Sequence, residues 1–136
     1  MKNVVSILLI LTLLCSCIFS AALAETRASN YFSSYGTTMS APGSGRIAIT
    51  FRAVGTDICN QIGVASYTVE KQTDEGWVNV SGSLSGQTGT NVASYTFGRY
   101  FQGVAGETYR IQVSFLCVIN NTSEIKSYTS GRITAK

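Results

Sequence analysis

An all-β fold, a seven-stranded antiparallel β-sandwich, is predicted by three observations. The apolar residues after position 30 recur every second position, the punctuation is glycine-rich, and no window of more than a few residues carries helical i, i+3, i+4, i+7 spacing. Two windows show the period most clearly. Arg46–Arg52 puts Ile47, Ile49 and Phe51 on one face and Arg46, Thr50 and Arg52 on the other. Tyr109–Phe115 puts Tyr109, Ile111, Val113 and Phe115 inward and Arg110, Gln112 and Ser114 outward. Such alternation belongs to antiparallel sheets with one wet face.

The strands follow in chain order. The first runs from about Tyr31 to Ser40 and ends at Pro42-Gly43-Ser44-Gly45. Here proline presets φ and glycine accepts φ > 0. The second covers about Arg46–Val54, and a loop over Gly55–Gly63 leads to the third, about Val64–Gln72. Asp74-Glu75-Gly76 reads as a short hairpin into Trp77-Val78-Asn79-Val80. Ser81–Gly89, rich in Gly and Ser, reads as a long loop or weak edge. A fifth strand (about Asn91–Phe101), a turn over Gln102–Thr108, a sixth (Tyr109–Val118), a loop at Asn120–Glu124 and a last strand (about Ile125–Thr134) complete the seven. Strand alternation places Tyr31 and Tyr35 on one side and Phe32 on the other. Tyr109 opens the penultimate strand after a glycine-bearing turn. This resembles the tyrosine corner of immunoglobulin- and fibronectin type III-like sandwiches, whose hydroxyl bonds to backbone just upstream.

The N-terminus gives an address. Lys2 precedes an uncharged stretch, Val4–Ala24, that closes with Ala22-Leu23-Ala24 before Glu25. That is the pattern of a signal peptide over 1–24, cleaved between Ala24 and Glu25. A short disordered lead-in (25–30) and one domain (31–136) follow, and the expected product is secreted. Two alternatives stay open: an uncleaved anchor, since about 20 uncharged residues can span a bilayer, and a lipid on Cys17, since Leu14-Cys15-Ser16-Cys17 resembles a lipobox. No span is expected in the mature chain.

Cys59 and Cys117 are the two cysteines left after the leader. In an exported chain an even number favours a disulfide. A bridge closing about 60 residues would contribute on the order of 4 kcal/mol. In a seven-strand sandwich the loops after the second and sixth strands share a pole, so the strand assignment itself brings these sulfurs together.

The chemistry of the chain is sparse. There is no histidine among the 136 residues, so Ser-His-Asp and Cys-His arrangements are excluded. Two cysteines with no CxxC do not complete a zinc tetrahedron, and no EF-hand or phosphate loop occurs. The acids after the leader are Glu25, Asp57, Glu70, Asp74, Glu75, Glu107 and Glu124, and no pair stands out as facing carboxylates. The expectation is a non-catalytic protein with no cofactor and no metal. The formal net charge is only +3, including Lys2, and the basic residues are dispersed, so nucleic acid is not an expected partner. A monomer binding an unknown protein or glycan through its surface is expected, with the pole of Gly55–Gly63 and Asn120–Glu124 as candidate face. A structural component of the cell surface, assembling through the Ser81–Gly89 edge, is the alternative.

Several short segments carry a resemblance: Tyr31-Phe32-Ser33-Ser34-Tyr35-Gly36, Gly45–Phe51 with Val54-Gly55-Thr56, Ile62-Gly63, Gly76-Trp77, and Tyr100 with Gly103, Gly106 and Tyr109. Together they resemble a family of small exported proteins of Gram-positive bacteria, a domain of unknown function. The resemblance implies a bacterial, secreted, all-β domain and supplies no activity and no site residues.

Overall fold

The computed structural model describes residues 29–136. The expected leader, the Ala24–Glu25 junction and Cys17 lie outside the described residues, as does most of the lead-in. Among the described residues the fold is all-β, an antiparallel curled sheet without helix. Its strands are β1 (Phe32–Gly43), β2 (Arg46–Thr73), β3 (Gly76–Asn79), β4 (Leu84–Ser85), β5 (Thr88–Gln102), β6 (Thr108–Ile119), β7 (Thr122–Thr129) and β8 (Ile133–Thr134).

The organising element is β2, 28 residues long where strands commonly run to about 10. Its first leg, Arg46–Val54, pairs with β1 on one side and with Ser94–Gln102 of β5 on the other. Its second leg, Gln61–Thr73, pairs with β6 on one side and, on the other, with the start of β5 (Thr88–Thr90), then β4 and β3. Between the legs the pairing with β5 shifts register, from Val54↔Ser94 to Cys59↔Val92. The curled sheet therefore has two arms, β1–β2–β5 and β3/β4–β2–β6–β7. The expected Gly55–Gly63 loop is corrected here: it is a bulged, continuous piece of strand, and the expected second and third strands are one. The bend is possible because a bulge inserts unpaired residues and sharpens the local twist.

The period-two pattern decides what each leg buries. Ile47, Ile49, Phe51 and Ala53 are buried on the first leg, and Ile62, Val64, Tyr67 and Val69 on the second, where a register shift between Val64 and Ser66 resets the alternation. On β6 the inward set is Tyr109, Ile111, Val113, Phe115 and Cys117. Side chains from the two arms meet in the interior. Phe51 stacks on Phe97 of its own arm at 4.8 Å and lies 4.9 Å from Tyr67 of the other, and Tyr35 reaches Phe115 at 5.3 Å. Each large apolar side chain so buried stabilises by roughly 1.5–3 kcal/mol.

The turns follow local chemistry. Ser44 and Gly45 both take positive φ (55° and 75°), as do Asn120 and Asn121 (49° and 62°). Two such central residues make the hairpin turn whose twist matches the strands it joins. The Asn120–Glu124 segment is thus a tight turn and the start of β7, not a loop. Pro42 falls where β1 shifts register between Ser40 and Gly43, on a strand paired along one side only, where proline's missing N–H is tolerated. A second shift, between Phe32 and Ser34, overturns the expected split of the N-terminal aromatics. Phe32 and Tyr35 pack together, ring centroids 5.1 Å apart. The expected Ser81–Gly89 loop contains the two residues of β4, held against Ser66 and Tyr67, and the expected last strand is split into β7 and β8.

The β5–β6 connection is closed by one side chain. The Tyr109 hydroxyl accepts a hydrogen bond from the backbone N–H of Val104 at 2.9 Å, with its ring buried. Gly103 lies against that ring: a Cβ there would stand 2.9 Å from it. Tyr109→Phe removes the acceptor of the Val104 N–H. Val104 is exposed and water can take its N–H, so the change is expected to destabilise the protein by about 0.5–1.5 kcal/mol in chemical denaturation, and an unchanged midpoint would show that the bond contributes nothing.

Candidate functional site

Two regions stand out, the pole at the β2 bend and the outer face of the β1–β2–β5 arm. At the pole the fold brings together what the sequence predicts there. Cys59 sits in the bend and Cys117 near the end of β6, with sulfurs 2.8 Å apart and both side chains fully buried. A disulfide is about 2.05 Å long, so the expected bridge is replaced in this structure by two free thiols in contact. Gly55 makes room for one of them, since a Cβ at 55 would lie 2.5 Å from the Cys59 sulfur.

The surrounding polar groups tie the pole together. The Asn120 N–H donates to Asn60 Oδ1 at 2.8 Å. The Thr56 N–H donates to the Tyr31 carbonyl at 2.9 Å. Glu124 accepts from the Ser29 hydroxyl (2.9 Å) and the Tyr31 N–H (3.0 Å), and its other oxygen pairs with Lys126 Nζ at 2.8 Å. Burial pushes the Glu124 carboxyl up, but the bonds from Lys126, Tyr31 and Ser29 outweigh it and hold the group below its usual value. The pole exposes Thr56, Asp57, Ile58, Asn60 and Asn120–Ser123, with the Asp57 carboxylate accepting from the Ile58 N–H.

The outer face of the β1–β2–β5 arm differs in charge. Its strands (Phe32–Gly43, Arg46–Val54 and Ser94–Gln102) hold no Asp, Glu or Lys, and Arg46 and Arg52 point outward, whereas Arg99 shares the inward side of Ile49 and Phe97. The described acids lie in the bend, in the β5–β6 connection (Glu107) or in the other arm. Glu70 takes Arg110 at 2.6 Å and Gln112 at 3.0 Å, and Arg110 stands over Trp77 at 4.3 Å. Trp77 is therefore a sheet-face residue engaged by a cation. Glu107 lies 3.9 Å from Lys71. Among the described residues none of the three salt bridges involves Arg46, Arg52 or Arg99. Arg46 lies over the Tyr100 ring at 5.3 Å and Arg99 over Phe97 at 5.2 Å.

Arg52 stands differently. Its strand neighbours are Gly36 on β1 and Thr96 on β5, so it rises from a floor of small residues. Beside it runs a groove of about 300 Å³, lined by hydroxyl side chains and by Tyr35 and Tyr128. Tyr128 reaches across from β7, its ring and hydroxyl 3.7 Å from where a Gly36 Cβ would be. The Thr37 hydroxyl in the groove wall is buried without a hydrogen-bond partner. Sequence reasoning missed this groove because its residues come from four separated segments. One signal was present: no acid occurs between Thr26 and Thr56, or between Gly76 and Gly106.

Among the described residues no three of His, Cys, Asp and Glu gather as metal ligands, and no helix is long and apolar enough to cross a membrane. No family model and no curated protein matches the chain. A solved structure of a protein from Archaeoglobus fulgidus is similar over 77% of this chain and 98% of its own, at 13% identity and a TM-score of 0.42, too distant to carry an argument.

The thiol pair generates a pH prediction. Burial, the contact with Cys59 and the nearby Glu124 push Cys117 from 9.0 to about 12. A group raised on folding stabilises below its unfolded pKa, and the unfolded chain sheds its proton first as pH rises. The reduced protein is therefore expected to lose stability between about pH 9 and pH 12. The oxidised protein lacks this loss. Denaturation of both forms across that window, with alkylation under denaturing conditions to assign redox state, checks it. Equal pH dependence in the two forms would contradict the assignment.

Proposed function

We propose that this chain is a secreted, non-catalytic β-sandwich module that acts by binding a partner through the outer face of its β1–β2–β5 arm. The observation that carries the reading is charge segregation: Arg46 and Arg52 on the outer face of an arm whose strands hold no carboxylate, beside a groove lined by hydroxyl and aromatic residues. An arginine without a carboxylate partner adds little to stability, while grooves with a few convergent polar groups are the usual form of a binding site. Strand order supports the sandwich reading. Two arms, β1–β2–β5 and β3/β4–β2–β6–β7, interleave side chains in a shared interior, and the Tyr109–Val104 bond suits a tyrosine corner of the fibronectin type III-like kind. Secretion rests on the leader pattern, and the thiol contact suits a disulfide formed after export.

The alternative, a structural or assembly component, is favoured by one feature. β5, 15 residues long, pairs with β2 alone among the described strands and leaves a free edge. Size-exclusion chromatography over a concentration series separates the readings: a constant monomer is expected, and concentration-dependent growth would favour assembly. The binding reading is tested by probing arrayed glycans and envelope fractions with the exported protein and with its Arg46→Glu, Arg52→Glu variant. Wild-type binding that falls about tenfold or more on charge reversal is expected. Binding indifferent to the reversal, or no binding, would contradict it.

A further inference from the structure

We infer that the groove beside Arg52 takes an acidic sugar, a carboxylate-bearing unit of an anionic glycan, with Arg52 receiving the carboxylate. The inference rests on the binding role proposed for this face and names the ligand class. Four observations carry it. Arg52 has no carboxylate partner among the described residues, and the strands around it hold no acid. A planar guanidinium without a partner is matched best by a carboxylate or phosphate taken through two parallel hydrogen bonds. The groove is lined by the hydroxyl residues Ser34, Thr50 and Thr96 and by Tyr35 and Tyr128, with the Tyr128 ring beside Gly36. Hydroxyls can donate to and accept from sugar hydroxyls, and aromatic faces cover the apolar side of a sugar ring.

The space itself is kept open by a missing side chain. Gly36 is the register partner of Arg52, and its Cβ position lies 3.7 Å from Tyr128. A longer side chain there would occupy the gap between Tyr128 and the guanidinium. The volume, about 300 Å³, is at the small end of ligand pockets and suits a single ring of a longer chain. A polynucleotide fits less well. It is held by several cations neutralising successive phosphates, whereas Arg46 and Arg99 are already seated on aromatic rings and one cation faces the groove.

The experiment is calorimetric titration of the full exported protein with oligogalacturonate, its fully methyl-esterified neutral form, and an oligothymidylate of similar length. The variants are Arg52→Ala, Gly36→Gln as a groove-filling change without a charge, and Arg132→Ala as an equal charge loss on an exposed residue outside the groove. Oligogalacturonate is expected to bind, and Arg52→Ala to weaken it by about tenfold or more. Gly36→Gln should weaken it comparably, while Arg132→Ala leaves it within about twofold. Circular dichroism of each variant verifies the fold. If the methyl ester binds as tightly and Arg52→Ala changes nothing, the acidic-sugar assignment falls while a binding face survives. Oligothymidylate binding as tightly as oligogalacturonate overturns the assignment in favour of a general polyanion site. Absence of binding to all three overturns it too, and array binding sensitive to the Arg46/Arg52 reversal would then still uphold the broader role.

Discussion

One strand is central to both halves of this molecule, and that constraint shapes the rest. β2 enters as the centre of the β1–β2–β5 arm, bends between Val54 and Cys59, and leaves as the centre of the other arm. A sheet turned so sharply must give up part of its ladder, and a buried unpaired peptide group costs about as much as a lost hydrogen bond. The bend limits that cost by placing the residues that leave the β2–β5 ladder outside: Thr56, Asp57 and Ile58 are exposed, and the Thr56 and Ile58 N–H groups find other acceptors, while Gly55 and Cys59 on either side are buried. The absence of a side chain at Gly55 lets the Cys59 sulfur turn inward against Cys117. The thiol contact is thus a product of the bend, and it ties β6 to the corner of β2.

The same frame explains why two poles and one face have different characters. At the bend, polar groups are consumed by the structure: Asn60, Glu124, Lys126 and the Tyr31 backbone all bond within the chain. At the opposite end Tyr109, Gly103 and Gly45 close the β5–β6 and β1–β2 connections, and Gly45 also donates to the Lys136 carbonyl. The arm bearing β6 spends its charges on a Glu70–Arg110–Trp77 arrangement. The outer face of the other arm spends nothing comparable. Arg46 leans on the Tyr100 ring, an exposed contact of a type that stabilises by only about 0.5–1 kcal/mol, and Arg52 has no charged partner among the described residues. A surface that folding does not need in this form is the natural place to look for recognition.

The fold was legible in the sequence wherever a local rule governs. The alternation in Ile47-Ala48-Ile49-Thr50-Phe51 and in Tyr109–Phe115 reports a buried face directly, and the Ser44-Gly45 turn announces itself by residue type. What escaped was set by pairing at a distance. Gly55–Gly63 looks like a loop because its alternation breaks, yet β5 and β6 hold parts of it as strand. The break in alternation was a bulge, and periodicity alone does not separate a bulge from a loop. A second bulge inverted the expected placement of Phe32 and Tyr35. The groove was out of reach for a related reason. Tyr128 and Gly36 are far apart in the chain, and their contact depends on how far the arms close on one another.

If a single bent strand couples the arms, neither arm can open alone. Native-state hydrogen exchange tests this directly, by comparing the amides of Ile49 and Phe51 in one arm with those of Thr68 and Gln112 in the other. The account predicts one common opening free energy, equal to that of global unfolding. Amides of the β1–β2–β5 arm that exchange through a separate, cheaper opening would show two independently folding layers and contradict it.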